Sequence, residues 1–528
     1  MSDTQTTQAE GLEQQGTADA ESPKNIRVVL LGLMIAMLLA MLDNMIVGTA
    51  MPTIVGELGG LNHLSWVVTA YTLATAASTP LWGKFGDMWG RKGVFMLSIV
   101  LFLIGSALSG MAQDMGQLIA FRGVQGLGAG GLIVGVMAII GDLVPPRERG
   151  KYQGMMAAVM AIAMIGGPLV GGSITDHLGW RWAFYINLPL GAVALFVISA
   201  VLHLPKKRTK ARVDYLGAAL LTAGITSLVL VTSWGGTEYD WGSGQIIGLS
   251  VAGAAALGLF LWVETKVAEP IIPLRIFRNS NFSLMNVIGF LVGFSMFGAI
   301  TFLPLYQQSV QEASATNSGL LLLPMLLSMM VVSLFAGRYT TQTGKYKVFP
   351  IVGGALMVVG LYLLSTMDTD TSRFTSGVYM ALLGAGMGFL MQITMLVAQN
   401  SVEMRDMGSG SSTVTLTRTI GGSFGVSLMG SLFSSQVSDT MADRAGEAGS
   451  KLTGSNAQLT PESLAKLPAG LKDAYFHAVS NGTHQVFLWG AVLAVLAFAA
   501  AWLVKEIPLR GAGPEAAKAD AVPAAVAE

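Results

Sequence analysis

The stretch GKFGDMWGRK, from Gly83 to Lys92, is the most specific feature of the sequence. It separates two long apolar segments, and its glycines permit a tight turn between them. Asp87 is suited to cap or face the positive N-terminus of a helix, and Arg91 is suited to bridge to a carboxylate. We therefore predict that this turn holds two half-domains together in one state and releases them in another. The predicted gating residues are Gly83, Asp87, Gly90, Arg91 and Lys92. The alternative is a solvated turn whose charges only set the topology.

Composition places the chain in a membrane. Of its 528 residues, 52% are hydrophobic and 12% are charged, whereas soluble proteins carry about 25% charged residues. Lys plus Arg and Asp plus Glu both total 31, so the chain offers no basic field for nucleic acid. The absence of cysteine excludes disulfides, iron–sulfur clusters and thiolate zinc sites. We expect a polytopic membrane protein that has no metal, no cofactor and no enzymatic activity.

Fourteen apolar stretches are long enough to cross a bilayer, which requires about 20 residues. They lie at 28–50, 64–82, 93–112, 117–140, 152–173, 183–203, 214–233, 245–264, 282–308, 317–337, 348–367, 374–400, 410–436 and 484–505. Lys and Arg set their orientation. If the N-terminus is cytoplasmic, 23 of these residues lie inside and 6 outside. We therefore predict that both termini are cytoplasmic.

The sequence also repeats itself. The Gly-Gly-Arg pattern within 83–91 recurs as Gly-Gly-Lys within 337–345, an offset of 254. Ile165–Gly167 recurs as Ile420–Gly422, an offset of 255. This near-constant offset favours two homologous six-helix halves over chance, and parallel repeats of this kind are typical of transporters whose site lies between the halves.

The predicted organisation follows from the spans and the repeat. We assign a disordered cytoplasmic tail (1–27), an N-terminal six-helix bundle (28–205), two inserted helices (206–265), a C-terminal six-helix bundle (266–505) with a long outer loop (437–483), and a second cytoplasmic tail (506–528).

Three ionisable residues fall well within the spans: Asp43, Arg122 and Arg418. Such residues are costly in hydrocarbon and are functional candidates by default. At 1.5 Å per residue, Asp43 and Arg122 both lie about 9 Å below the outer surface, so they can pair. A carboxylate that alternates between paired and unpaired states can carry a proton; the alternative is a permanent salt bridge. Arg418 lies about 13 Å from the inner end of the thirteenth span. It is a substrate-facing charge, an interdomain charge or an arginine that snorkels to the surface.

Small residues in two spans predict close helix packing. Gly167, Pro168, Gly171 and Gly172 lie in the fifth span, where glycine allows close approach and proline kinks the helix. The fourth span contains a GxGxxG pattern at 126–131, but no strand precedes it, so we interpret it as packing and not as a dinucleotide site.

Together these motifs resemble the major facilitator superfamily, specifically its fourteen-span drug:proton antiporter family. The resemblance covers Val28 to Lys505 and rests on five motifs: the loop 83–92, the first-span motif 42–52, Arg122 with Gln125–Gly126, the fifth-span glycines, and Trp180–Pro189. Asn44, Gly48 and Ala163 depart from the usual pattern of these motifs.

This resemblance implies the major facilitator fold and a proton-coupled exporter of lipophilic neutral or cationic drugs, in which Asp43 carries the proton and Arg122 tunes its affinity. We expect a multi-pass protein of the cell membrane, a monomer that uses protons and no ATP. The candidate cavity residues are Asn44, Tyr71, Gln125, Gln307, Gln308, Gln392 and Arg418. The alternatives are a proton-coupled symporter or facilitator of a nutrient and a non-transporting receptor of the same fold.

Overall fold

The computed structural model describes residues 23–58, 64–144, 146–204, 214–236, 239–311, 313, 317, 320–453 and 468–509. Throughout these ranges the regular secondary structure is helical, apart from an isolated bridge between Gly235 and Tyr239. The predicted all-α class is therefore confirmed for the described part of the chain.

Each of the fourteen predicted spans lies on a helix. These helices are α1 (Pro23–Leu58), α2 (Leu64–Trp89), α3 (Arg91–Met111), α4 (Met115–Leu143), α5 (Pro146–Leu178), α6 (Trp182–Tyr185 continuing as Asn187–Val201), α7 (Tyr215–Trp234), α8 (Gly244–Glu264), α9 (Ser280–Ser309), α10 (Leu323–Thr343), α11 (Val348–Ser365), α12 (Arg373–Asn400), α13 (Met407–Thr453) and α14 (Ala469–Leu503).

Among the described helices, 12 are long and apolar enough to cross a membrane. The two that fall short of this apolarity are α2 and α13, which are rich in Ser and Thr. Their hydroxyls are satisfied within the helix: Thr75 donates to the Tyr71 carbonyl oxygen at 2.7 Å, and Thr413 donates to the Ser409 carbonyl oxygen at 2.6 Å. Because such bonds satisfy the polar groups locally, the mean hydropathy of these two helices overstates the polarity that their hydroxyls present to their surroundings. The count of fourteen crossings remains a prediction.

Three predicted boundaries differ from the structure. The N-terminal tail was expected to extend to residue 27, but α1 begins at Pro23; residues 1–22 lie outside the described ranges. The tenth span was predicted at 317–337, whereas α10 runs from Leu323 to Thr343. Over its described residues the predicted outer loop at 437–483 is largely helical, because α13 continues to Thr453 beyond a non-helical kink at Gly446 and α14 begins at Ala469. Of the C-terminal tail, residues 506–509 are described and are not helical; the rest lies outside the described ranges.

The helices pack as two groups joined by an inserted pair. In the first group α4 packs against α2 and α3, while α1 packs against α5 and α6. In the second, α9 packs against α13 and α14, and α12 packs against α10 and α11. The inserted helices α7 and α8 pack on each other, and α7 also touches α2 and α13. Two six-helix halves and an inserted pair remain the prediction for the domain organisation.

The two halves contact each other where α2 meets α13 and where α5 meets α10. At the first contact, the Asp87 carboxylate accepts from the backbone of Gly408 and Ser409. At the second, a Cβ on Gly154 would lie 2.6 Å from Cδ2 of Leu334. Both contacts lie at the end of the molecule that the Lys/Arg distribution predicts to be cytoplasmic.

At the opposite end, α1 is tied to the turn between α5 and α6. Glu57 accepts from Trp180 Nε1 at 2.9 Å and from an Arg181 guanidinium nitrogen at 3.0 Å. The hydrogen bond from Trp180, followed by that from Arg181, lowers the pKa of the Glu57 carboxyl from its usual value. These contacts stay within the first half.

Candidate functional site

Asp43 and Arg122 form a sealed ion pair in the core of the first half. Oδ2 of Asp43 lies 2.6 Å from an Arg122 guanidinium nitrogen, and both side chains are 0% exposed. Asp43 lies on α1 and Arg122 on α4. The structure thus contains the pair that the depth of the two residues predicts.

Two amides complete the shell of the carboxylate. Oδ1 of Asp43 accepts from Gln125 Nε2 at 2.8 Å and from Asn187 Nδ2 at 2.6 Å. Gln125 Oε1 also accepts from Arg122 at 2.9 Å, which ties the arginine and the amide together. Because three donors converge on one carboxylate, the ionised form of Asp43 is well satisfied here.

Arg122 is held by an aromatic ring as well as by the carboxylate. Its guanidinium carbon lies 4.0 Å from the centroid of the Tyr71 ring, a cation–π contact. A second guanidinium nitrogen donates to Asn44 Oδ1 at 3.3 Å. The Tyr71 hydroxyl donates to the Ala40 carbonyl oxygen at 3.2 Å, so α2 is fixed to α1 beside the pair.

Glycine brings α5 close to α1 directly beside Asp43. A Cβ on Gly167 would lie 2.2 Å from Cβ of Met45, and one on Gly171 would lie 2.9 Å from Cα of Ile46. The predicted close packing of the fifth span is therefore present. The side chain of Pro168 lies outside the described part of the chain, and a Cβ on Gly172 would make only an ordinary contact with Thr49.

The GxGxxG pattern also serves packing. A Cβ on Gly126 would lie 2.4 Å from the Tyr71 carbonyl oxygen. The glycine therefore lets α4 lie against the backbone of α2, as the sequence predicts, and holds Arg122 next to the Tyr71 ring.

A second polar cluster links the two halves. Asp87 accepts from the backbone N–H of Gly408 at 3.0 Å and of Ser409 at 2.9 Å, at the first turn of α13. A Cβ on Gly83 would lie 2.7 Å from the Gly408 carbonyl oxygen, which explains why glycine occupies that position. We call the contact of Asp87 with the start of α13 the latch.

Arg91 supports the latch from within the first half. It donates to Asp87 Oδ1 at 3.1 Å, to Asp142 Oδ2 at 2.9 Å and to the carbonyl oxygen of Ala138. Gly90, with φ of 95°, makes the turn into α3. Lys92 instead donates to the Ser199 carbonyl oxygen at 2.8 Å and binds α3 to α6.

Burial raises the pKa of the Asp87 carboxyl from 3.8 to about 6. Arg91 and the backbone N–H groups of Ser409 and Gly408 oppose this effect. The latch therefore contains a carboxylate that titrates close to physiological pH.

Most candidate cavity residues do not line an open space in this conformation. Four of them are buried: Tyr71, Gln125, Gln307 and Gln392. Tyr71 and Gln125 belong to the Asp43 network, Gln307 Nε2 lies 3.7 Å from the sulfur of Met380, and Gln392 accepts from Ser333 at 3.3 Å. The other three, Asn44, Gln308 and Arg418, are partly exposed. Polarity in a span therefore does not by itself indicate a residue that faces a cavity.

Sequence reasoning missed two members of the network. Asn187 donates to Asp43, and its Nδ2 also lies 2.9 Å from Ser106 Oγ, which donates to the Phe184 carbonyl oxygen at 2.8 Å. Asn187 lies within the stretch Trp180–Pro189, and its position at the start of an apolar span was the available signal.

Comparison with known proteins agrees with this architecture. The Major Facilitator Superfamily profile matches residues 33–426. The chain belongs to the major facilitator superfamily. Multidrug transporter protein MdtP of Bacillus subtilis (strain 168) is 39% identical over 425 residues, which cover 80% of this chain and 78% of that protein. Multidrug resistance protein 3 of the same organism is 36% identical over 481 residues, which cover 89% of this chain and 93% of that protein.

A solved structure shares the fold of this superfamily member. The proton:xylose symporter XylE, bound to 6-bromo-6-deoxy-D-glucose, superposes with a TM-score of 0.58 at 15% identity, covering 93% of this chain and 98% of XylE. Members of the superfamily are transporters, so this protein is a multi-pass membrane transporter and not an enzyme.

Proposed function

We propose that this major facilitator protein is a proton-coupled antiporter that exports lipophilic neutral or cationic drugs across the cell membrane. The observation that carries the proposal is the sealed Asp43–Arg122 pair. The names of two relatives, a multidrug transporter and a multidrug resistance protein, support the substrate class.

Asp43 is the proton carrier in this proposal. Its carboxylate lies in α1 at membrane depth, and its counter-charge Arg122 lies on another helix, so a shift between α1 and α4 changes their distance. Separation of the two charges favours protonation of the carboxylate, while their approach favours release of the proton. In the present conformation the pair is closed to water, and protons exchange when the helices move.

The latch gates access in this proposal. It closes the end that we predict to be cytoplasmic, so the structure corresponds to a state in which that side is shut. Breaking the contact of Asp87 with α13 allows the halves to separate there. Gly83, Gly90 and Arg91 shape and support this latch.

Asn44, Gln308 and Arg418 are the partly exposed polar residues that we assign to the substrate path. Asn44 connects this path to the proton site directly, because it accepts from Arg122. A substrate that competes for Asn44 therefore weakens the hold on Arg122 and couples substrate binding to the state of Asp43. The protein acts as a monomer in this proposal, since each chain contains both halves.

The direction of coupling tests the proposal. We would reconstitute the protein in liposomes and follow ethidium, a permanent monocation that a pH gradient alone does not trap. An antiporter accumulates ethidium when the lumen is acidic, whereas a symporter accumulates its substrate when the lumen is alkaline. A facilitator is insensitive to the gradient, and a receptor of the same fold binds without transport.

The control is the variant Asp240→Asn, which shows whether the loss of an acid as such affects transport. Asp240 is exposed in the turn between α7 and α8. This variant should transport as the wild type does. Accumulation only with an alkaline lumen, or accumulation that is independent of the gradient, would overturn the antiport proposal.

A further inference from the structure

Asn187 has a contact pattern that the ion pair alone does not require. Its Nδ2 lies 2.6 Å from Oδ1 of Asp43 and 2.9 Å from Ser106 Oγ. Its Oδ1 is sealed from solvent and has no hydrogen-bond partner within the described residues. An orphaned buried oxygen of this kind is costly and calls for a physical reason.

We propose that Asn187 is a positioning residue of the proton site, whose amide serves both protonation states of Asp43. This inference rests on the proposed role of Asp43 as proton carrier. In the ionised state Nδ2 donates to the carboxylate, as the structure shows. In the protonated state the amide group rotates by about 180°, and its oxygen accepts a hydrogen bond from the carboxyl hydroxyl of Asp43.

The geometry suits both states. When Asp43 is ionised, Asn187 and Gln125 donate to Oδ1 and Arg122 donates to Oδ2. When a proton from water forms an O–H bond at Oδ1, that hydroxyl faces an amide oxygen at a separation of 2.6 Å, which suits an O–H···O bond. Oδ2 is then part of a neutral carboxyl group, so its contact with Arg122 is no longer an ion pair, in keeping with protonation when the two charges separate.

Ser106 fixes the amide in position. Its Oγ accepts from Asn187 Nδ2 and donates to the Phe184 carbonyl oxygen. After the half-turn, the same hydroxyl is able to donate to the amide oxygen instead. The hydrogen bonds of Ser106 join it to Asn187 and Phe184, so removal of its hydroxyl perturbs the amide while the bonds of Arg122 and Gln125 to Asp43 stay in place.

The remaining groups around Asp43 do not change in the variants below. Arg122 faces it from α4 and Tyr71 lies beside it on α2. On α5, Gly167 packs against Met45, two residues after Asp43, and on α6 the neutral Asn187 donates to Asp43. Arg122 is the charged group and Tyr71 the titratable group that face the carboxylate from these elements, among the side chains that the structure describes.

The test is infrared difference spectroscopy of the purified full-length protein between neutral and acidic pH, with Asp43→Asn to assign the carboxyl band. In Asn187→Leu the carboxyl proton loses its acceptor, so the C=O stretch of Asp43 should move to higher frequency. The ionised form loses a charge-assisted donor, so the titration midpoint should move about one pH unit upward.

The matched control is Asn286→Leu. Asn286 is also a buried amide; its Nδ2 donates to the Phe282 carbonyl oxygen at 2.9 Å and its Oδ1 accepts from Thr417 at 3.1 Å. This control should leave the Asp43 band and midpoint unchanged. Ser106→Ala should move both in the same direction as Asn187→Leu but by less, and it replaces the leucine variant if that variant does not fold.

An Asp43 band that is present in the wild type but unchanged in Asn187→Leu and Ser106→Ala would overturn this inference alone. The absence of any titrating Asp43 band in the wild type would overturn both this inference and the proton-carrier role on which it rests.

Discussion

At the scale of single residues, the Asp43 carboxylate and the Arg122 guanidinium depend on each other. Both are 0% exposed, so each charge has given up its hydration for one partner and a few amides. Removing one member of such a pair typically costs about 3–5 kcal/mol, because the other is left buried and uncompensated.

We predict that Arg122→Gln lowers the free energy of unfolding by about this 3–5 kcal/mol and abolishes coupled transport. The double variant Asp43→Asn/Arg122→Gln should recover much of the stability, since neither charge remains, but not the transport. Thermal unfolding in detergent measures the first effect, and reconstituted transport the second.

The matched control is Arg181→Gln, which breaks the Glu57 pair. Because both of those side chains are about half exposed, at 41% and 52%, Arg181→Gln should lower the free energy of unfolding by less than about 1 kcal/mol. A double variant no more stable than Arg122→Gln would show that the two charges do not compensate each other.

The pair could be predicted because position along a membrane helix gives the depth of a residue, and charged residues within apolar spans are rare. Asn187 was not predicted, because a neutral amide in an apolar span is not by itself a sign of function. Tyr71 and Gln125 were assigned to the cavity because a sequence shows that they are polar but not which way they face; the structure places both against Arg122.

At the scale of elements, the contact of α5 with α1 positions the proposed proton site. A Cβ on Gly167 would lie 2.2 Å from Cβ of Met45, two residues after Asp43, whereas a Cβ on the adjacent Gly166 would meet nothing within 4 Å.

These neighbouring glycines make a matched pair. Gly167→Ala should push α5 away from α1, cost about 1–3 kcal/mol and impair transport. Gly166→Ala should be neutral or slightly stabilising, because alanine favours a helix by about 0.5–1 kcal/mol over glycine. Thermal unfolding and transport of both variants measure this difference, and equal effects would show that the close approach is unimportant.

The latch should respond to pH. Its carboxyl has a pKa of about 6 when buried, whereas a solvated Asp titrates near 3.8. The latched form therefore binds a proton more tightly than the released form, so acidification through pH 6 should favour the latched form. Distances between spin labels on the adjacent ends of α2 and α13 measure the latched fraction.

Asp87→Asn should remove this pH response and hold the latch near its acidic strength at every pH, because the amide, like the protonated carboxyl, carries no charge to bury. Glu57→Gln is the control, since Glu57 binds Trp180 and Arg181 at the opposite end of the molecule from the latch. A latched fraction that falls on acidification in the wild type would contradict the prediction.

Apolar runs located the helices well but their ends poorly. The start of α10 is marked by a proline in its first turn, which a hydropathy window does not weigh. The segment at 437–483 is polar, so it was predicted to be a loop. The structure instead extends α13 and α14 there, and Met441 packs between Ala474 and Ala478. Such pairing of helices in a polar segment has no strong hydropathy signal.

At the scale of the whole molecule, the repeat at an offset of 254 or 255 residues predicted two halves, and the helices pack within two such groups. The sequence could not indicate which end of the halves is closed, because one sequence encodes every state of the transport cycle.

In the proposed antiport, Asp43 as the one proton carrier limits the charge that is exchanged in each cycle. If one proton enters for each monocation that leaves, no net charge moves and the pH gradient supplies about 1.4 kcal/mol per unit. A dication would instead move one charge outward against an inside-negative potential, at about 2.3 kcal/mol per 100 mV.

We therefore expect proteoliposomes with a strong inside-negative potential to export a monocation faster than a matched dication. Dissipating the potential while keeping the pH gradient should narrow the difference. Faster export of the dication at strong potential would exclude exchange of one proton for one substrate.

In the proposed cycle, Asp43 carries the proton that drives export. The most direct measurement uses proteoliposomes with an imposed pH gradient and a pH-sensitive dye inside, to which lipophilic cations are added. Wild type should show proton movement triggered by the substrate, and Asp43→Asn should bind the same cations without moving protons. Proton movement that persists in Asp43→Asn would contradict the account and place the carrier at another residue.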